Sequence, residues 1–554
     1  MRTAAPDQTG ALDAVARWLS AHTDRVFGLV GSGNFHLVNA LTKAGIDFVA
    51  ARHEGGAATM ADAYARISQR TGVLTVHQGP GFTNALTGLA EAAKSRTPLL
   101  ALVPEATMRR SNFYLDTEAL ARGIGAHYVQ IASMADLPSP AAVQSAGTMV
   151  LGFPLHLLAG DAPLEKAPAP KDDPAAPSAE AEAEADADPD AERLASLLTT
   201  ARRPLFIAGH GAVRARAREA LIRLADRCGA LLAVSARAKG LFTGHPFYLD
   251  VSGGFASPLT AELVQGADLV VAWGASLSMW TTRHGKLVDP SAKVAQVLLH
   301  AGDLGTHHRL DCGVAGDVRL VAERIDATLQ ERNITRPGYR SEELRTRIAT
   351  QARWRDVPYD DDSSADRIDP RTLTVLLDDI LPTERTVAVD SGNFMGYPAM
   401  YLQVPDEQGF CFSQAFQSIG LGLATAIGAA LARPDRLPVA ALGDGGFLMG
   451  VSELETVVRL KIPMLVVVYD DAAYGAEVHH FGPDGHPLAH VTFPERDLAS
   501  IARGFGFQAA TVRTRADLAP LQAWLAGPRD EPFLLDAKIT SRGGAWWLRE
   551  AFGH

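Results

Sequence analysis

The chain has 554 residues, 47% hydrophobic and 21% charged, with 50 glycines; this is a globular composition, too long for one core and enough for about three domains. Net charge is −11, but residues 165–192 alone hold 10 acidic and 2 basic residues, so the remainder is nearly balanced and offers no basic stripe for nucleic acid. No apolar run approaches the roughly 18 residues needed to span a bilayer, and Met1 to Gly10 lacks the regions of a signal peptide, so no membrane partner and a cytoplasmic location are expected.

In chain order, Ala11 to Ala21 reads as a helix, Arg25 to Val30 as a strand, and Gly31-Ser32-Gly33-Asn34 as a turn before a second helix. Phe48 to Ala51 is a strand that runs through Arg52-His53 into Glu54, directly followed by a helix of small residues, Gly55-Gly56-Ala57-Ala58. Read locally, a carboxylate at that place is a helix N-terminal acid stabilised by the macrodipole. Val73 to Val76 leads to His77 and the turn Gly79-Pro80-Gly81, with Asn84 near the start of the next helix; His77 suits proton transfer near neutral pH, or is structural. Pro98 to Val103 and Thr148 to Leu158 are further strands. Residues 163–192 are Ala, Pro, Asp and Glu with little to bury, an acidic linker.

From 193 to 330 the alternation resumes, with strands at Pro204 to Ala208, Leu231 to Ser235, Leu269 to Trp273 and Val294 to Leu299, and a helix at Ala215 to Arg227. Gly209-His210-Gly211 lacks the full dinucleotide spacing. A connecting segment, 331–367, precedes a third unit, 368–554. There Val387 to Asp390 leads into Ser391-Gly392-Asn393-Phe394, and Gln417 to Gly428 repeats small residues at helical spacing. Leu437 to Leu442 is a strand that delivers Gly443-Asp444-Gly445-Gly446 at its carboxyl end, where open α/β sheets bind ligands. These glycines suit a diphosphate and Asp444 a divalent cation. A helix at Val451 to Leu460 and a strand at Pro463 to Tyr469 then bring Asp470-Asp471 alongside, so that Asp444 and Asp471 meet around one metal.

Gly443-Asp444-Gly445, followed at this distance by Asp470-Asp471-Ala472-Ala473-Tyr474-Gly475, resembles the thiamin diphosphate (ThDP) signature of the ThDP-dependent decarboxylase and acetohydroxyacid synthase superfamily. Arg52-His53-Glu54 and Gly79-Pro80-Gly81 extend the resemblance. It implies a fold of three doubly wound, parallel-sheet α/β domains: a pyrimidine-binding domain (1–162), a central Rossmann-like domain (193–330) and a diphosphate-binding domain (368–554). It implies Mg²⁺ on Asp444, Asp471 and the Ala473 carbonyl, with Asp471 departing from the usual Asn. Glu54 would hydrogen-bond N1′ of the pyrimidine, Asn393 and Phe394 would lie at the diphosphate with Gly446 and Tyr474, the Gln417 carbonyl would take the amino group, and Ile419 would support the V conformation. Ser32 and His77 match active-site positions of benzoylformate decarboxylase, and Glu477 one of pyruvate and indolepyruvate decarboxylases; a plain turn serine fits Ser32 equally. FAD is not expected, because Gly274 to Trp280 departs from the acetohydroxyacid synthase pattern.

The activity so implied is decarboxylation of a 2-oxo acid to a cofactor enamine, then protonation to an aldehyde or carboligation. Acetolactate-synthase-type transfer is the alternative, and a ThDP-binding protein without catalysis a third. The superfamily places its sites between subunits, which implies a homodimer or homotetramer.

Overall fold

Why the chain makes sheets is plain from its strands: short runs such as Leu99 to Val103 and Leu465 to Tyr469 are apolar throughout and buried throughout, as strands covered by helices on both faces must be. A computed structural model describes residues 10–158, 189–541 and 545–548, which form three six-stranded sheets, every strand pairing parallel. Residues 163–188 of the expected linker lie outside the described residues.

The first sheet contains β1 (Arg25–Gly28), β2 (Asp47–Ala50), β3 (Gly72–Thr75), β4 (Leu99–Glu105), β5 (His127–Gln130) and β6 (Thr148–Pro154), in the order β2-β1-β3-β4-β6-β5. The second contains β7 (Pro204–Ala208), β8 (Leu231–Val234), β9 (Tyr248–Val251), β10 (Leu269–Trp273), β11 (Lys293–Leu298) and β12 (Cys312–Ala315), in the order β12-β11-β10-β7-β8-β9. The third contains β13 (Arg385–Val389), β14 (Phe410–Phe412), β15 (Leu437–Gly443), β16 (Leu465–Asp470), β17 (Gln508–Val512) and β18 (Phe533–Lys538), in the order β14-β13-β15-β16-β18-β17.

Each order reverses beside its first strand, and a reversal of this kind opens a crevice at the carboxyl ends of the strands. In the first sheet it lies between β1 and β3, which end at Gly31 to Asn34 and at His77; in the third it lies between β13 and β15, which end at Ser391 to Phe394 and at Gly443 to Gly446. In the second it lies between β7 and β10, and there the two turns touch: Gly211 N donates to Gly274 O at 3.0 Å.

First and third domains share one core. The helix Glu54–Ser68 packs on the helix Gly422–Ala432 so closely that a Cβ on Gly428 would overlap the Met60 carbonyl, and Ala57, Ala61, Ala424, Ile427 and Leu454 bury each other there.

Three expected helices start late, the one expected at Val451 only at Glu453. The small-residue run is helical only from Gly422, because Gln417 (φ 61°) and Gly420 (φ 89°) are left-handed and Asp390 takes the N–H groups of Gly420 and Leu421. The helix expected at Ala215 starts at Arg218, after Arg216 at φ 50°. The helix Pro189–Thr200 begins inside the last residues of the expected linker. Cys228, Cys312 and Cys411 are buried, and Trp547 is packed at 2% exposure with its ring edge-on to Tyr397 at 5.0 Å.

Candidate active site

Glu54 opens its helix, and the residues before it are tied down first. His53 is the N-cap, its Nδ1 accepting from Gly55 N at 3.0 Å, a structural role. Glu54 itself is 8% exposed. Asn84, from the first turns of the helix Pro80–Lys94, donates through Nδ2 to Glu54 Oε2 at 3.1 Å, and the other oxygen lies over Gly81, where a Cβ would be 3.4 Å away. One oxygen is thus anchored and the other points into a glycine-floored space.

His77 stands next to this carboxylate. The turn Gly31-Ser32-Gly33 wraps its ring: Gly33 N donates to Nδ1 at 3.2 Å, and a Cβ on Gly31 would lie 2.6 Å from the ring. Because a backbone N–H can only donate, Nδ1 is the acceptor and the neutral ring carries its proton on Nε2. Phe113 packs edge-on against the ring at 5.3 Å. Burial holds the His77 pKa below its usual value, partly offset by the charge of Glu54, so the ring is a neutral Nε2–H donor at pH 7. Ser32 is exposed at the tip of the turn. Ser32, His77 and Glu54 therefore form one neighbourhood in the first domain.

The second cluster belongs to the third domain. Asp444 starts the helix Asp444–Met449 and is buried, and burial with the charges of Asp471 and Asp470 pushes its pKa up to about 8. Asp471 is pushed up to about 7 by burial and then by Asp470. Asp470 is itself compensated: Lys538 Nζ donates to it at 2.5 Å while also meeting Asp536 at 2.9 Å, and Ala472 N donates to its other oxygen at 2.9 Å. Asp444 is thus buried and Asp471 half-buried, and the charge of Asp471 bears on Asp444, a repulsion that a divalent cation would relieve. Ala472 at φ 57° turns the chain so that Ala473 bridges to Thr492. Among the described residues no three His, Cys, Asp or Glu side chains converge as a complete metal centre, so a cation here would draw on ligands such as a backbone carbonyl and phosphate oxygens. Oxygen ligands of this kind suit Mg²⁺.

Around the pair, Tyr474 packs on Gly445, where a Cβ would sit 2.5 Å from its ring, and its ring meets Phe493 at 5.0 Å. Phe394 is buried, stacked on Tyr469 at 5.3 Å and close beneath Gly443; Asn393 accepts from Ala545 N at 3.3 Å. Gln417 is exposed and Ile419 half-buried on the loop before Gly422. Glu477 is exposed on the helix Gly475–Phe481.

Three carboxylates that sequence reasoning passed over hold these parts. Asp390, fully buried, accepts from Ser391 N at 2.9 Å, Gly420 N at 2.9 Å and Leu421 N at 3.2 Å; its position at a strand end was a signal that could have flagged it. Glu91 accepts from Ala415 N at 3.1 Å and Phe416 N at 2.6 Å. The loop 415–421, with Gln417 and Ile419, is therefore clamped at both ends. Glu453 accepts from Arg52 N and His53 N, both at 3.0 Å. Nothing local in the sequence marks Glu91 or Glu453.

The three models of the thiamine pyrophosphate enzymes match this chain in order: the N-terminal TPP binding domain at residues 10–129, the central domain at 191–325 and the C-terminal TPP binding domain at 390–537. The chain belongs to this family. Thiamine pyrophosphate is another name for thiamin diphosphate, and the two clusters fall in the two TPP binding domains. Among curated relatives, the chain is similar to a sulfoacetaldehyde acetyltransferase of Alcaligenes xylosoxydans xylosoxydans, at 29% identity over 82% of this chain and 79% of that protein. It is also similar to a probable acetolactate synthase large subunit of Methanocaldococcus jannaschii, at 26% over 95% and 91%, and to the acetolactate synthase isozyme 2 large subunit of Escherichia coli (strain K12), at 25% over 94% of each chain. The match to family and relatives thus spans all three domains of this thiamine pyrophosphate enzyme. No helix among its described residues is long and apolar enough to cross a membrane.

Proposed function

We propose that this enzyme uses ThDP and Mg²⁺ to decarboxylate a 2-oxo acid and hands the remaining acyl unit to a second, acceptor molecule. Bound ThDP would supply a nucleophilic carbon and an electron sink. The observation that carries the reading is Glu54: buried, anchored on one oxygen by Asn84 and open on the other above Gly81, it is built to hold a proton at a ring nitrogen. His77 presents Nε2–H to the same space, where it hydrogen-bonds a substrate oxygen or returns a proton. Asp444 and Asp471 hold the cation with the Ala473 carbonyl, and the loops at Asn393 and Gly443 to Gly446 receive the diphosphate. Transfer is preferred over aldehyde release because the relatives' names speak of acetyl transfer and of acetolactate synthesis. Aldehyde release is the second reading, favoured by His77 and by Glu477 if it faces substrate. The central domain takes no flavin in this reading, supported by the contact between Gly211 and Gly274 at its switch point.

The enzyme works as a homodimer or larger homo-oligomer with each site shared between Glu54 of one subunit and Asp444 of another. Large apolar side chains left exposed beside both clusters support this: Val30 (41%), Phe35 (51%) and Phe113 (41%) in the first domain, and Leu448 (45%) and Met449 (55%) in the third. Mixing inactive Glu54→Gln and Asp444→Asn subunits would then restore about a quarter of the activity, since half of the dimers are mixed and each holds one intact site.

The test is CO₂ release and product identification from aliphatic, aromatic and guanidino 2-oxo acids, with and without a second carbonyl compound or inorganic phosphate. A coupled product, lost in Glu54→Gln, is expected. Aldehyde alone moves the assignment to a decarboxylase, and no turnover with any acid overturns it.

A further inference from the structure

Glu54 is held from below by a carboxylate of the other TPP binding domain. Glu453 is 2% exposed, and both its oxygens are engaged: Oε1 accepts from Arg52 N and His53 N, each at 3.0 Å, and Oε2 from the Thr456 hydroxyl at 2.6 Å and, more weakly, from Arg52 N at 3.3 Å. The two N–H groups it takes are the last before Glu54. Neither is in the β2 ladder, which ends at Ala50, nor in the helix ladder, which starts at Glu54, so Glu453 is the acceptor that holds these N–H groups where the exposed Arg52 and His53 meet the buried Glu54. Room for the carboxylate comes from Gly56, where a Cβ would stand 2.5 Å from Glu453 Oε1; this is a physical reason for glycine two residues after Glu54. The same short helix, Glu453–Arg459, grips the strand end twice more, through Glu455 on Arg52 Nε at 2.5 Å and through Arg459 on the Ala50 carbonyl. Its N-terminus is joined to the metal-site helix by Gly450, whose carbonyl accepts from Glu453 N at 3.0 Å.

We propose that Glu453 is a positioning residue for Glu54: it fixes the backbone from which the Glu54 carboxylate reaches the pyrimidine and ties that backbone, in the same chain, to the helix that starts at Asp444. This rests on the reading of Glu54 as the cofactor-facing acid. A misplacement of about 1 Å at such a group costs on the order of 10²-fold in rate.

The experiment compares Glu453→Ala, Glu453→Gln and Glu54→Gln with the parent enzyme, by amide hydrogen exchange without cofactor and by steady-state kinetics with ThDP and Mg²⁺. Glu453→Ala should raise exchange at Arg52 and His53 at least tenfold while the helix Pro80–Lys94 keeps its protection, and should lower kcat on the order of 10²-fold with KM for the 2-oxo acid nearly unchanged. Glu453→Gln, which keeps one acceptor oxygen, should recover part of both. Unchanged exchange at Arg52 and His53, or faster exchange with unchanged kcat, overturns the proposal while leaving the function standing if Glu54→Gln is inactive. Should Glu54→Gln turn over normally, both the site reading and the role of Glu453 fall.

Discussion

Replacing Arg66 by methionine takes the guanidinium from between two buried carboxylates of the first domain. Arg66 lies in the helix Glu54–Ser68; its Nη2 meets Asp62 at 2.6 Å, Glu91 at 2.8 Å and Ser95 Oγ at 2.5 Å, and its Nη1 donates to the Phe412 carbonyl of the third domain at 3.1 Å. The three charged side chains are at most 5% exposed. Burial opposes the charge on Arg66, but Asp62 and Glu91 outweigh it and raise its pKa, so the pair of acids depends on it. Breaking a buried pair from one side costs about 3–5 kcal/mol, which for a unit of 150–250 residues lowers the transition by about 6–20 °C. The assay is calorimetry of the cofactor-free protein. A second variant reads out the loop: Glu91→Gln keeps the shape but takes one charge from Arg66 and weakens the acceptor for Ala415 and Phe416, so the loop carrying Gln417 and Ile419 loosens and ThDP affinity falls about tenfold. A shift under 2 °C for Arg66→Met, or unchanged ThDP affinity in Glu91→Gln, would refute this reasoning.

Asp390 gives a pH prediction. Burial pushes its carboxyl from 3.8 up to about 6, so the folded protein holds this proton after the unfolded chain has lost it. Its contribution to stability is full below about pH 4 and is lost as pH rises through about 6. Asp390→Asn should flatten that part of the melting-temperature profile relative to the parent, and should weaken ThDP binding because Asn cannot accept all three N–H groups. At the proposed metal site, Asp471 would add a carboxylate beside a diphosphate, a repulsion offset chiefly by the cation. Asp471→Asn should therefore make ThDP binding less steeply dependent on Mg²⁺ in a calorimetric titration, and an unchanged slope would refute this.

The sequence displays what local chemistry controls. Buried runs such as Leu437 to Leu442 and Leu465 to Tyr469 announce central strands, and the glycines and acids at their ends announce a ligand site. Edge strands were passed over, since His127–Gln130, Tyr248–Val251, Cys312–Ala315, Phe410–Phe412 and Gln508–Val512 are brief, and so was the buried Phe533–Lys538, whose Asp536 and Lys538 interrupt the apolar run. The break of the helix before Gly422 was hidden too, because the carboxylate that takes its N–H groups comes from Asp390, 30 residues earlier. Glu54 and His77 could be picked out because each follows closely on a strand, in the turn to the next helix. Glu453 could not, since its partners Arg52 and His53 lie 400 residues away and only the packing of the two domains brings them together.

The central claim is that Glu54 activates bound ThDP, and exchange of the cofactor's C2 proton for deuterium tests it without any assumption about substrate. Quenched-flow NMR on the enzyme with ThDP and Mg²⁺ should show rapid exchange, slowed on the order of 10²- to 10⁴-fold in Glu54→Gln with cofactor still bound. Equal exchange rates in the two proteins would contradict the account.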